Sequence, residues 1–312
     1  MNAREFAKER LALFSHYGFE GQGRRIADGK GRSTYLIARE IIARETKADR
    51  RPLTILFHGG LSQASEWAPL AGALEGRVVI PDRPGHGLSY PIDYRGVDFR
   101  RSAVDWVAHV LDSVGAEQAD LVGNSIGGFF SIAFAIEHPE RVRRLVLIGA
   151  AAGLHRELPF FARLWGNALA GQVISRMTIT DPETFRKRVL STLVMAHPER
   201  MEPEPLRLMT AAGSLPGVPE SSFRMLRRVT TLRGWRREFL LREEAADVRV
   251  PTKFIWGDRD AFAPPERGRE VAARMPHADF QLVEDAGHVP HFDRPRIVSD
   301  SLTGFLSAAQ AA

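Results

Sequence analysis

This 312-residue sequence predicts an α/β fold, with a mostly parallel sheet, helices on both faces and a helical segment inserted late in the chain. Two observations carry that expectation. Strand-like apolar runs alternate with segments of helical spacing through the first half, the pattern of parallel strands joined by crossover helices. The alternation stops at Gly153, gives way to about 95 residues of helical text punctuated by prolines, and resumes at Thr252.

Taken in order, residues 2–17 read as a helix, with Phe6, Leu11, Leu13, Phe14 and Tyr17 roughly on one face. Two strands are expected around 23–28 and 33–39, separated by the turn Asp28-Gly29-Lys30-Gly31. The run from Leu53 to Phe57 has the character of a strand buried on both faces, and it ends in His58-Gly59-Gly60. A helix over 66–74 leads to a strand over 77–80. Val104, Val107, Val110, Leu111 and Val114 share one side of the next helix. A strand over 119–122, a helix from Gly127 to Glu137 stopped by Pro139, and a strand over 145–148 complete the block. After the insertion come a strand (252–256), a helix (266–275), a strand (279–283) and a final helix (296–308). The α/β core is therefore expected over 1–152 and 249–312, and a helical cap over 153–248. No internal repeat or low-complexity linker is evident.

Composition narrows the function. Hydrophobic content of 44% and charged content of 26% are those of an ordinary soluble globular protein. The absence of cysteine excludes disulfides, thiolate metal sites and a cysteine nucleophile, and fits a reducing compartment. The first twenty residues alternate charged with apolar side chains, unlike a signal peptide, and no stretch approaches ~18 consecutive apolar residues. The expectation is a cytoplasmic protein with a small-molecule substrate and no membrane partner. Arg224, Arg227, Arg228, Arg233, Arg236 and Arg237 form the densest basic stretch. It reads as a solvated helix face, with attraction of an anionic substrate as the alternative. No basic stripe interleaved with aromatics points to nucleic acid. There is no metal-ligand spacing of the H-E-x-x-H type and no G-x-G-x-x-G loop, so neither metal nor cofactor is expected.

The informative segment is Asp120–Gly128. It contains G-x-S-x-G as Gly123-Asn124-Ser125-Ile126-Gly127, directly after a strand and directly before a helix. A strained strand-to-helix turn projects a serine hydroxyl above the sheet, at a helix N-terminus where negative charge is favoured. The pentapeptide alone is a weak signal, so its context decides. A serine hydroxyl is a poor nucleophile at neutral pH and needs a base oriented by an acid. In this kind of fold the chain order is serine, acid, histidine. Downstream, Trp256-Gly-Asp-Arg-Asp260-Ala-Phe-Ala-Pro264 and Asp285-Ala-Gly-His288-Val-Pro290 each follow a strand. Both fall at the carboxyl ends of parallel strands, where open α/β sheets place their sites. Asp258 and Asp260 both qualify as the acid. One oxyanion-stabilising N–H is expected from Ile126, the residue after the serine, and a second from the loop after Phe57.

Five landmarks stand in order: His58-Gly59-Gly60, Asp82-Arg-Pro-Gly-His-Gly-Leu-Ser89, the elbow at Ser125, Gly257-x-x-Asp260-x-x-x-Pro264 and Gly287-His288. Together they resemble the α/β-hydrolase superfamily over nearly the whole chain. The resemblance implies the α/β-hydrolase fold and a serine hydrolase with Ser125 as nucleophile, Asp260 as acid and His288 as base. It also implies an oxyanion hole formed by Gly60 and Ile126. His58 and His86 sit in family turns and are expected to be structural, while His291 is a candidate for the pocket wall. The elbow Gly-Asn-Ser-Ile-Gly-Gly, with His-Gly-Gly, is similar to that of carbon–carbon bond hydrolases that cleave vinylogous diketones, the meta-cleavage products. Those enzymes typically carry tryptophan after the catalytic histidine, where this chain has Val289-Pro290. The expected reaction is hydrolysis of a carboxylic ester or lactone through an acyl-enzyme, with carbon–carbon bond hydrolysis second. Lyase or cyclase chemistry, or a ligand receptor on the same fold, are further alternatives. Substrate choice is expected to reside in the insertion, whose stretch from Pro159 to Trp165 either faces the substrate or packs onto the sheet.

Overall fold

The computed structural model describes residues 1–39, 52–149, 151–164, 167, 179 and 181–308. Its strands are β1 (Gln22–Ala27), β2 (Ser33–Arg39), β3 (Leu53–Phe57), β4 (Arg77–Pro81), β5 (Ala119–Asn124), β6 (Val142–Ile148), β7 (Thr230–Thr231), β8 (Gly234–Trp235), β9 (Thr252–Gly257) and β10 (Ala278–Val283). Eight of them form one sheet in the order β1-β2-β4-β3-β5-β6-β9-β10. β1 and β2 are antiparallel, β2 runs antiparallel to β4, and every pairing from β4 to β10 is parallel.

Alternation along the strands explains why both faces are covered. In β3, Ile55 and Phe57 join the core beneath the helices Phe99–Ser113 and Ile126–Glu137, whereas Leu56 joins the core beneath Ala3–His16 and Pro295–Ser307. Leu145 and Leu147 against Val146 and Ile148 in β6, and Phe254 and Trp256 against Ile255 in β9, divide the same way. A strand side-chain period of two assigns each residue to one layer, so near-continuous apolar runs are what a two-faced sheet requires.

Register then places the loops of interest on one rim. Phe57 pairs with Gly123, Asn124 with Ile148, and Val283 with Gly257, so the carboxyl ends of β3, β5, β6, β9 and β10 finish close together.

Two elements differ from expectation. The helix expected over 66–74 is a 3-10 turn (Ala64–Trp67) followed by one short helical turn (Ala68–Ala71). Pro69 lacks the N–H that a continuous helix would use there, and a Cβ at Gly72 would lie 1.9 Å from the Tyr17 carbonyl, so this segment packs too closely on the first helix to widen. The inserted segment is not wholly helical either: β7 and β8 pair as an antiparallel hairpin within it. Its helices include Phe160–Leu164, Pro203–Ala212 and Val218–Val229, and Pro182–Phe185 runs on in π-helical turns over Arg186–Val194. Among the described residues no helix is long and apolar enough to cross a membrane.

Candidate active site

Ser125 occupies the sharp turn between β5 and the helix Ile126–Glu137, with φ 53° and ψ −113°. Few non-glycine residues adopt such a backbone, and strain of this kind persists only where the surroundings impose it. Here they do. A Cβ on Gly127 would meet the Phe57 carbonyl at 1.9 Å, and one on Gly123 would meet the Gly127 carbonyl at 2.4 Å. Side chains at either position would force the helix off the sheet. Asn124 adds a tie: its Nδ2 donates to the carbonyls of Ile148 (2.9 Å) and His288 (3.1 Å), joining the serine turn to the histidine loop.

His288 follows β10, and its Nδ1 lies 3.0 and 2.9 Å from the two carboxylate oxygens of Asp260. Asp260 Oδ1 also accepts from the Phe262 N–H at 2.9 Å. Donation from Nδ1 to a carboxylate fixes the neutral ring in the tautomer whose Nε2 carries the lone pair. Phe262 lies against the imidazole, ring centroids 4.1 Å apart. Ser125, Asp260 and His288 are all less than 10% exposed. Asp258 has a different part: its Oδ1 accepts from the Ala286 N–H at 3.0 Å, closing the loop that carries His288.

The loop after β3 is held from beneath. Arg83 Nε donates to the His58 carbonyl (3.0 Å) and Nη2 to that of Gly59 (2.6 Å), while His86 Nε2 lies 2.6 Å from the Gly60 carbonyl. In a trans peptide the N–H points away from the carbonyl, so anchoring the Gly59 carbonyl aims the Gly60 N–H the opposite way. His58 Nε2 accepts from the Arg83 N–H (2.9 Å). Burial, with Arg83 adding, pushes His58 well below the usual histidine range and His86 down to about 3, so both rings are neutral hydrogen-bonding struts. Asp82 locks the turn that follows, accepting from Arg10 (2.8 Å) and from the N–H groups of Ala64 (2.9 Å) and Leu88 (2.8 Å).

A cleft of about 790 Å³, open mouth included, joins these parts. Gly60, Ser125, Ile126 and His288 line it at the sheet, and Leu158, Ala162, Phe185, Leu190, Leu226 and Trp235 line it from the inserted segment. No lysine or arginine lines it among the described residues. The acid among its described lining residues is Glu66, which is buried and bonded to the Gly59 N–H at 2.9 Å.

The remaining sequence candidates fall out of the site. His291 is fully buried, stacks on Trp67 with centroids 5.1 Å apart, and does not line the cleft. In the basic stretch, Arg224 and Arg228 pair with Asp93 (3.3 Å) and Glu238 (3.2 Å) on the outer face of their helix. Phe160 is 73% exposed; the Phe161 side chain and Trp165 lie outside the described residues. Sequence reasoning passed over Glu66, Phe262 and Arg83, none of which carries a spacing signal of its own. Arg83 lies in the stretch Asp82–Ser89 and Phe262 in Trp256–Pro264, so their neighbourhood in the sequence is the signal that points to them.

Comparison with known proteins gives the same architecture. Residues 52–295 match a family model described as alpha/beta hydrolase fold. A 2-hydroxymuconate semialdehyde hydrolase from Pseudomonas sp. (strain CF600) is 30% identical over 292 residues, covering 88% of this chain and 96% of its own. A carboxylesterase structure from Bacillus subtilis matches with a TM-score of 0.69 at 22% identity, over 98% of this chain and 99% of its own. A 2-hydroxy-6-oxo-6-phenylhexa-2,4-dienoate hydrolase from Rhodococcus sp. strain RHA1 matches with a TM-score of 0.74 at 20% identity, over 93% and 99%. At these identities the structural matches speak for the fold.

Proposed function

The chain belongs to the alpha/beta hydrolase fold family and is a hydrolase, and we propose that it cleaves a carboxylic ester or lactone of a small, neutral, largely apolar substrate through an acyl-enzyme on Ser125. The observation that carries this reading is that His288, bonded to Asp260, lines the same apolar cleft as Ser125, with no lysine or arginine among its described lining residues. Residues 153–248 serve as the cap that closes this cleft.

In this reading the Ser125 hydroxyl attacks the carbonyl carbon while His288 Nε2 takes its proton, and Asp260 stabilises the imidazolium that forms. The N–H groups of Gly60 and Ile126 receive the oxyanion, each donor of this kind being worth ~2.7–4 kcal/mol. Collapse expels the alkoxide, which takes the proton from His288. A water then attacks the acyl group with His288 again as base, releasing the acid and restoring the serine.

The second reading, hydrolysis of a carbon–carbon bond in a vinylogous diketone, is favoured by the 30% identical relative. Against it stand Val289 after His288 and the lack of a lysine or arginine among the described lining residues of the cleft to meet a carboxylate.

A fluorophosphonate should label wild type at Ser125 alone, and Ser125→Ala should abolish both labelling and the burst of p-nitrophenol from a short-chain ester, with turnover down by around 10⁶. Labelling at another serine, or ester turnover that survives the substitution, would overturn the assignment.

A further inference from the structure

Glu66 is an acid the proposed reaction does not consume. It sits on the 3-10 turn Ala64–Trp67, 1% exposed, at the wall of the cleft. Its Oε2 accepts from the Gly59 N–H at 2.9 Å. Its Oε1 faces His291 Nε2 at 3.8 Å, and neither atom has a hydrogen-bond partner among the described residues. A buried carboxyl with one oxygen unsatisfied costs free energy, so its presence at the wall of a reactive cleft asks for a role.

The geometry of the loop supplies one. The peptide between His58 and Gly59 is gripped on both edges, its carbonyl by Arg83 Nε at 3.0 Å and its N–H by Glu66. The next peptide has its carbonyl on Arg83 Nη2 at 2.6 Å, and its N–H is that of Gly60. With the first plane fixed, the second can turn only about the Gly59 φ and ψ, and its own carbonyl bond removes that freedom. The fit is close, since a Cβ on Gly59 would meet Asn124 Oδ1 at 2.6 Å and Glu66 Oε2 at 3.3 Å.

We propose that Glu66 is a positioning residue, its buried carboxyl holding the Gly59 amide and thereby aiming the Gly60 N–H at the oxyanion. The proposal rests on the reading of Ser125 as nucleophile. Burial pushes the Glu66 carboxyl up to about 7, against the pull of the Gly59 amide, the Ser62 hydroxyl, Arg83 and His288. Burial likewise pushes His291 down to about 3, with His288 adding, so His291 brings no charge to the pair. At neutral pH much of Glu66 is therefore the uncharged acid, which still accepts through an oxygen. Glutamine places an oxygen acceptor in the same position.

The test compares Glu66→Gln and Glu66→Leu with wild type, reading kcat and KM for a p-nitrophenyl ester and the rate of Ser125 phosphonylation by a fluorophosphonate. Glu66→Gln should stay within about threefold of wild type. Glu66→Leu should lose roughly 10- to 100-fold in kcat and in phosphonylation with KM little changed, because an oxyanion donor acts in the transition state. If Glu66→Leu does not fold, Glu66→Asp, which withdraws the acceptor by one methylene, takes its place and should slow phosphonylation relative to Glu66→Gln. Wild-type rates in the leucine or aspartate variant, an effect in KM alone, or equal losses in the glutamine variant would overturn the proposal. Wild-type enzyme that escapes phosphonylation at Ser125 would instead overturn the nucleophile assignment beneath it.

Discussion

Two aspartates stand two residues apart on one loop, and hydrogen bonding separates their work. Asp260 gives both oxygens to His288 Nδ1, whereas Asp258 is exposed and spends one oxygen on the Ala286 N–H. Asp260→Asn should therefore cost about 10⁴ in turnover, the precedent for an orienting acid, while Asp258→Asn, which keeps an oxygen for Ala286, should stay within about tenfold. Circular dichroism on both variants checks the fold, and a crippled Asp258→Asn beside a near-normal Asp260→Asn would reverse the roles. The resemblance already favours Asp260, whose place three residues after Gly257 and four before Pro264 is the family's arrangement for the acid, because a motif on one loop is a local property. Glu66 was not legible in that way. It lies between Ser65 and Trp67 with no spacing to mark it, and its burial depends on chain segments that meet only in the fold. That burial has a sign in pH. With a carboxyl ordinarily near 4.5 raised to about 7, the folded state holds a proton the unfolded chain has released between those values. Its contribution to stability is complete below pH 4.5 and is lost as pH rises to 7. Glu66→Gln does not titrate, so it should gain roughly 3 kcal/mol relative to wild type between pH 4.5 and 7.5. Chemical denaturation of both proteins at several pH values measures this, and a constant difference would show that Glu66 ionises normally.

The elements of the sheet were readable because each buried strand and its following helix carry their own periodicity, and every expected strand is present to within a few residues. The helix Phe99–Ser113 begins five residues before the apolar stripe that revealed it, since Asp98 caps it by accepting from the Arg101 N–H at 3.0 Å. The expected helix over 66–74 failed on a contact, the close approach of Gly72 to Tyr17, that no local pattern encodes. The junction between the inserted segment and the histidine loop was equally hidden. There the buried Asp293 accepts from the N–H groups of Ala196 (3.1 Å), His197 (2.8 Å) and Gly287 (2.8 Å). The Val289 N–H donates to the Val194 carbonyl at 3.2 Å, and Leu190, Met195 and Phe292 close a small apolar cluster beside it. Asp293→Ala leaves three amide donors without their acceptor, and removing one partner of a buried hydrogen bond costs ~1–3 kcal/mol for each group stranded. We expect a loss of at least about 2 kcal/mol in stability together with a fall in kcat, since Gly287 adjoins His288. Unchanged Tm and kcat would show that water replaces the carboxylate without penalty.

At the scale of the molecule, the cleft lies between a sheet rim that carries Ser125 and His288 and an inserted segment that supplies apolar walls. The protein carries a formal charge of +5, yet described arginines such as Arg83 beneath the loop after β3, Arg100 with Glu137 and Glu244, and Arg274 with Glu243 are engaged elsewhere. None of the described lining residues is a lysine or arginine, and Glu66 adds negative charge to the wall as pH rises through 7. A substrate carboxylate set against these walls would lose its hydration without gaining a cation from the described lining residues, and an unpaired buried charge costs several kcal/mol. A neutral acyl chain would instead gain ~0.8 kcal/mol for each methylene it buries. Between a p-nitrophenyl ester of a medium-chain acid and its analogue ending in a free carboxylate, kcat/KM should therefore differ by at least about 100-fold, equivalent to ~2.7 kcal/mol. The preference should weaken little with added salt, because the penalty is desolvation inside the cleft and salt screens mainly exposed charges. The same argument applies to a ring-fission dienoate, whose carboxylate would meet the same walls. Equal or faster turnover of the carboxylate-bearing substrate would mean that a cation reaches the cleft after all, and would move the enzyme toward carbon–carbon bond hydrolysis.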